Sequence, residues 1–185
     1  MPALVMNNLD IFRKEYLEAN TWAQRRDGIP LDLLDNLSDA EIKVAEAELI
    51  KAVSLRDDWP IVGLGHIKSK DAVPTLYELL GKSKGAMKVT IAHSIFQITE
   101  DAKMIEIVLE TMPRITNEFE LIDVLYYLPN FKDKRVTDLH HSYRHHKDYL
   151  VASNATRYLG LPTDGVVEKF RDKKQRSFWD KLFGK

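Results

Sequence analysis

An apolar helical stripe returns at one phase every thirty-odd residues along this chain, and that recurrence constrains the fold more than any other feature. Val73, Leu76 and Leu80 are spaced i, i+3, i+7 and so lie on one side of a helix. A step of 32 residues leads to Ile105, Val108 and Met112, and a further 31 to Val136, Leu139 and Tyr143. Another 31 reaches Val167 and Phe170, with Lys174 in the third place, while 31 backwards gives Ile42, Ala45 and Leu49. A second column runs upstream as the pairs Leu34 and Leu37, Leu64 and Ile67, Ile95 and Ile98, Leu125 and Leu128, Tyr158 and Leu161. Turn-forming runs, "KSKD", "TED", "PNFKDK" and "PTDG", separate the two columns. Each unit therefore reads as helix A, a tight turn, then helix B. Neither helix can bury its stripe alone, so the units have to stack.

The ends read as caps on this stack. "NLDIFRKEYLEANTWAQRRD" predicts one long amphipathic helix with Leu9, Phe12 and Tyr16 on one face, and residues 1–27 as an N-terminal cap. Residues 176–185, with Ser177 as an N-cap and Asp180 three places on, predict a C-terminal cap helix carrying Phe178, Trp179, Leu182 and Phe183. A solenoid needs such covers for its open ends. The same basic, amphipathic stretch, with Lys173, Lys174, Arg176 and Lys181, also has the chemistry of a partner or membrane anchor.

The pattern over residues 28–175 resembles the HEAT-repeat superfamily, and within it the short bacterial repeats of the phycobilin-lyase type. "VGLGHIKSKDAVPTLYELL" is the best copy, with small residues before the turn, then "DAVP" and a Leu-rich second helix. "TEDAKMIEIVLETM" lacks the proline, and "PNFKDKRVTDLHHSY" keeps only the apolar positions. The resemblance implies an all-α chain: a right-handed α-solenoid of about five repeats with helical caps, one domain over residues 1–185, B helices lining a concave face where partners bind. It specifies architecture far more than task, because one fold hosts many functions.

Composition removes several classes of function. There is no cysteine among the 185 residues, hence no disulfide, thiolate metal site or thiol nucleophile. The start "MPALVMNN" has no basic, apolar signal pattern, and no apolar run nears the roughly 20 residues of a membrane span. A cytoplasmic, monomeric protein is the expectation. The formal charge of −1 conceals an asymmetry, since residues 131–185 hold 13 Lys/Arg against 7 Asp/Glu, leaving 14 against 21 for the rest. Such fields orient a charged partner without naming it.

"DLHHSYRHH", residues 138–146, holds four of the six histidines. In the repeat register one column reads Lys51, Lys82, Arg114, His145, Arg176, and four residues earlier another reads Ala47, Glu78, Glu110, His141, Asp172. Three rungs are acid-to-base pairs at i, i+4, the favourable order on an exposed helix, with the base near the helix end where the dipole favours it. His141 and His145 occupy one such rung and are expected at the surface. Asp138 with His141 and His145 could offer three ligands on one helix face, but "HExxH" is absent and no metal or cofactor is expected. Clustered histidines could alternatively make the surface pH-sensitive. His66 and His93 fall in A helices and read as packed or edge residues.

A neighbouring column reads Glu46, Tyr77, Leu109, His140, Arg171, which would set an apolar strip between charged edges, or else widen the core stripe. No nucleophile triad or phosphate-gripping loop appears: the glycines of "GLGHIKSK" fall inside a helix and Asp57–Asp58 sits at a turn. The reading is a non-catalytic protein-binding module, a scaffold or assembly factor or a toxin-neutralising immunity-type protein. Its partner surface is expected at Tyr77, Glu78, Lys82, Glu110, Arg114, His140, His141, Arg144 and His145. The alternatives are a nucleic-acid-binding solenoid, whose basic column would track phosphates, and a lyase-type or metal-dependent accessory protein.

Overall fold

The computed structural model describes residues 7–171, and these are all-α. The predicted cap helix at 176–185, with Asp172, Lys174 and Arg176, lies outside the described residues. Within 7–171 the helices alternate as the periodicity requires. After a short α3 (Asp32–Asp35) come α4 (Asp39–Ala52), α5 (Trp59–His66), α6 (Val73–Lys82), α7 (Gly85–Thr99), α8 (Lys103–Thr111), α9 (Glu118–Leu125), α10 (Lys134–Tyr143) and α11 (Tyr149–Tyr158), and residues 164–171 are helical as well. The odd-numbered members from α3 to α11 are A helices, and α4, α6, α8 and α10 are B helices. Among the described residues none is long and apolar enough to cross a membrane.

The backbone repeats along with the side chains. Lys68, Glu100 and Lys132 all have left-handed φ values, 55°, 56° and 50°, and they stand 32 residues apart. Each follows an A segment: α5, α7, and the short 3₁₀ turn Leu128–Phe131 that extends α9. A left-handed residue is the usual way to end a helix and reverse the chain, and Gly160 (φ 70°) does the same after α11. Proline then sits within the first turn of α5 and α6, where its missing N–H has no helical partner to lose.

The N-terminal segment departs from the expected single helix. α1 (Asn8–Phe12) passes into a π-helical turn, Arg13–Leu17, in which the Glu18 N–H reaches back five residues to the Arg13 carbonyl at 2.9 Å. A separate α2 (Trp22–Arg25) then starts from Thr21. The Gln24 side chain accepts from the backbone N–H (3.2 Å) and hydroxyl (2.7 Å) of Thr21, a capping box that makes Thr21 a helix start rather than a helix interior. The apolar face is kept nonetheless. Phe12 and Tyr16 are both buried with ring centroids 5.2 Å apart, and the Tyr16 ring meets Trp59 at 5.5 Å, tilted by 57°.

The chain divides into two compact units, residues 7–104 and 105–171 of those described. In the first, α5 packs between α4 and α7, and α6 packs on α7. Every residue of α5 from Trp59 to Gly65 is buried, which explains why it is apolar all round, and α7 is buried from Val89 to Ile95 with the polar Thr90, His93 and Ser94 enclosed among its apolar residues. Glycine permits the close approach. A Cβ at Gly65 would lie 2.9 Å from Ser94 Cα, and one at Gly63 would lie 2.6 Å from the Tyr16 hydroxyl. That hydroxyl donates to the Trp59 carbonyl at 2.7 Å. In the second unit α9 packs on α11, and α10 on α11 and on the 3₁₀ turn. Its core includes Leu121, Val124, Leu125, Leu128, Phe131, Val136, Val151 and Ala155. Both units thus set A helices side by side and lay a B helix on the A helix that follows it.

Candidate partner-binding surface

In the first unit three of the residues expected at a partner surface, Tyr77, Glu78 and Lys82, are exposed on α6. Leu76 and Leu80 turn inward, which leaves Tyr77, Glu78 and Lys82 outward. Lys82 Nζ donates to Glu78 Oε1 at 2.5 Å, the i, i+4 pair read from the sequence, and this bond first and then the nearby charge hold Glu78 below the usual carboxylate range. Tyr77 is tied down as well. Its hydroxyl donates to Asp101 Oδ2 at 2.7 Å, raising the phenol and lowering the carboxyl. Asp101 Oδ1 meanwhile accepts from the Lys103 N–H at 3.0 Å at the start of α8. The exposed edge of α6 is therefore an ordered ring with an oriented acid at each side.

In the second unit the residues of that set divide between surface and core. Glu110 and Arg114 are exposed, but they form no ion pair with each other. Pro113 helps turn the end of α8 into a 3₁₀ helix, Met112–Arg114, and three residues per turn instead of 3.6 swings Arg114 off the line above Glu110. His141 and His145 are exposed, as their rung predicted. Arg144 is half-buried and lines, with His145, Pro162, Gly165, Val166 and Lys169, a cleft of about 170 Å³. The third acid-to-base rung, Asp172 with Arg176, lies outside the described residues.

His140 departs from the binding face that its column predicts, because it is only 1% exposed. The stripe Val136, Leu139, Tyr143 includes the i+4 position of its own first member, and that position is His140. Burial first, and the neighbouring His141 second, push its imidazole down to about 4, against the opposing pull of the Ala155 carbonyl. Leu109, at the same register, is half-buried and Tyr77 exposed, so one column runs from surface to core. As for ligands, Asp138 is engaged by Lys134 at 2.6 Å, and no three His, Asp or Glu side chains converge among the described residues. His66 pairs with Asp35 at 2.6 Å, and His93 is buried in α7 with its imidazole pushed down to about 4.

Two clusters escaped the sequence reading. Arg25 lies 4.3 Å over the Trp59 ring and forms an ion pair with Asp57, whose Oδ1 also accepts the Trp59 N–H at 3.1 Å. The second is apolar and exposed: Phe119, Tyr126 and Leu150, on the outer sides of α9 and α11. The signal was available, since Phe119 and Tyr126 are seven apart and off the stripe Leu121, Leu125, Leu128. No protein-family model, curated protein or solved structure matches this chain.

Proposed function

We propose that the chain is a right-handed α-solenoid of HEAT-like repeats that works as a non-catalytic protein-binding module, either a scaffold or assembly factor or an immunity-type neutralising protein. The recurrence of left-handed caps every 32 residues and the shared A-on-A, B-on-next-A contacts within each unit support the architecture. The observation that carries the binding role is the edge of α6. There an exposed tyrosine is fixed by Asp101 and flanked by the Glu78–Lys82 pair, an aromatic anchor inside a charged rim. Glu110, Arg114, His141, Arg144 and His145 extend the partner-binding set on the second unit, and His140 leaves it because it is buried. A phosphate-tracking role for Lys82 is disfavoured by the carboxylate it already holds.

The test is a pull-down from lysate of the source organism with wild type beside the Glu78→Lys/Glu110→Lys variant, followed by affinity measurement on whatever protein is recovered. The double reversal should weaken binding about tenfold or more by opposing a complementary partner field, with helicity and melting temperature nearly unchanged. Wild-type affinity in the double variant would remove the B-helix face from the interface. Recovery of nucleic acid in place of protein would overturn the protein-binding role.

A further inference from the structure

The second unit carries a second face, distinct from the B-helix surface. Phe119 is 74% exposed, Tyr126 59% and Leu150 48%. Large apolar side chains scattered singly need no explanation, but these three are exposed on two segments that pack together. α9 and α11 pack together and run parallel. Glu118 and Lys147 join their N-terminal ends at 3.9 Å, and the rings of Tyr126 and Tyr158 meet edge to face at 5.6 Å near their C-terminal ends. Phe119 and Leu150, one repeat apart, therefore stand side by side, as do Tyr126 and the Arg157–Tyr158 pair. Arg157 is already oriented, with its guanidinium 5.3 Å over the Tyr158 ring and hydrogen-bonded to the Asn154 side-chain oxygen.

We infer that this face is a homodimer interface, occupied by the same face of a second copy across a twofold axis parallel to the two helices. Symmetry and charge together select that occupant. A twofold axis running along the helices lays each α9 on the second copy's α11 in the same direction. Phe119 then meets Leu150, Tyr126 meets Arg157 and Tyr158, and Glu118 meets Lys147, each contact made twice. The acid finds a base, the tyrosine face finds a guanidinium, and the apolar pair closes the centre. A twofold axis across the helices would instead lay α11 antiparallel on its own copy, setting Lys147 towards Arg157, like charge against like. Helices of eight and ten residues offer a face only about 12–15 Å long. The dimer is accordingly weak and reversible, with dissociation in the micromolar range.

Sedimentation equilibrium of the full chain across that range tests the inference. Wild type should show a reversible monomer–dimer equilibrium, and Phe119→Ser should raise the dissociation constant at least tenfold while its circular dichroism and melting curve stay as in wild type. Glu118→Lys and Lys147→Glu should each weaken self-association. An equimolar mixture of these two variants should recover it, because both inter-copy contacts become opposite in sign again. A wild-type protein that stays monomeric throughout overturns the inference, as it would if the face served some other partner. A dimer indifferent to Phe119→Ser, or a mixture no tighter than the single variants, overturns it equally. None of these outcomes bears on the B-helix surface.

Discussion

Stability should fall steeply as pH drops from 7 to 5, because two buried imidazoles must take up protons when the chain unfolds. His93 in α7 and His140 in α10 are each pushed down to about 4, chiefly by burial, against about 6.5 for histidine in an unfolded chain. A base with a depressed folded-state pKa is neutral in the native protein. Between the two values the unfolded state therefore binds more protons, and stability rises with pH there. At pH 5 the unfolded imidazole is almost fully charged and the native one roughly one-tenth charged, so linkage gives a loss of about 2 kcal/mol per histidine relative to pH 7. That is a large share of the ~5–15 kcal/mol that holds a domain folded. Glu41, Glu78, Asp101 and Asp133, all held low by hydrogen bonds, lose their contributions only at more acid pH. Asp58 is raised by burial, so its own contribution runs in the opposite sense. Urea unfolding followed by circular dichroism at pH 7, 6 and 5 measures the slope. His140→Leu, which fills the same volume without a titrating group, should remove about one proton from it, whatever the variant does to absolute stability. A stability that stays flat between pH 7 and 5, or a slope unchanged in His140→Leu, would refute the reasoning.

Glycine substitutions should split by site. Gly65→Ala drives a methyl group to 2.9 Å from the Ser94 backbone, and an overpacking cost of about 1–3 kcal/mol outweighs the ~1 kcal/mol helix-propensity gain. Gly81→Ala, in open space on α6, keeps only the gain and should raise the melting temperature. Tyr16→Phe removes the buried hydrogen bond to the Trp59 carbonyl and should cost about 1 kcal/mol or more in thermal or urea unfolding; a neutral result would mean that water replaces the hydroxyl there.

How far a residue could be placed from the sequence depended on how local its determinants were. The alternation of A and B helices from α4 to α11 followed from stripes at 3.6-residue spacing and from prolines and turn residues, all features of a few neighbouring residues. The outward Glu78–Lys82 pair and the exposed His141 and His145 followed for the same reason, because helix phase alone decides them. The N-terminal segment failed as one helix because the Thr21–Gln24 capping box competes with continuation, a side-chain preference that an apolar stripe does not register. His140 failed on another ground: its i+4 place was visible, but how far a stripe extends inward depends on what lies opposite, here α11 with Ala155. Arg114 missed its pairing because the end of α8 tightened by a fraction of a residue per turn.

The sequence by itself determined the helices from α4 to α11, their order, their repeat and the inward side of most of them, since periodicity and helix-ending residues act within one or two turns. Only the tertiary structure decided that Gly63 and Gly65 admit Tyr16 and α7 at close range, that Arg25 covers Trp59, and that His140 is core while Phe119 is surface. Each of these depends on the distance between segments far apart in the chain, and a side chain's free energy of burial is fixed by the neighbours that exclude water from it, not by its place in a helical period.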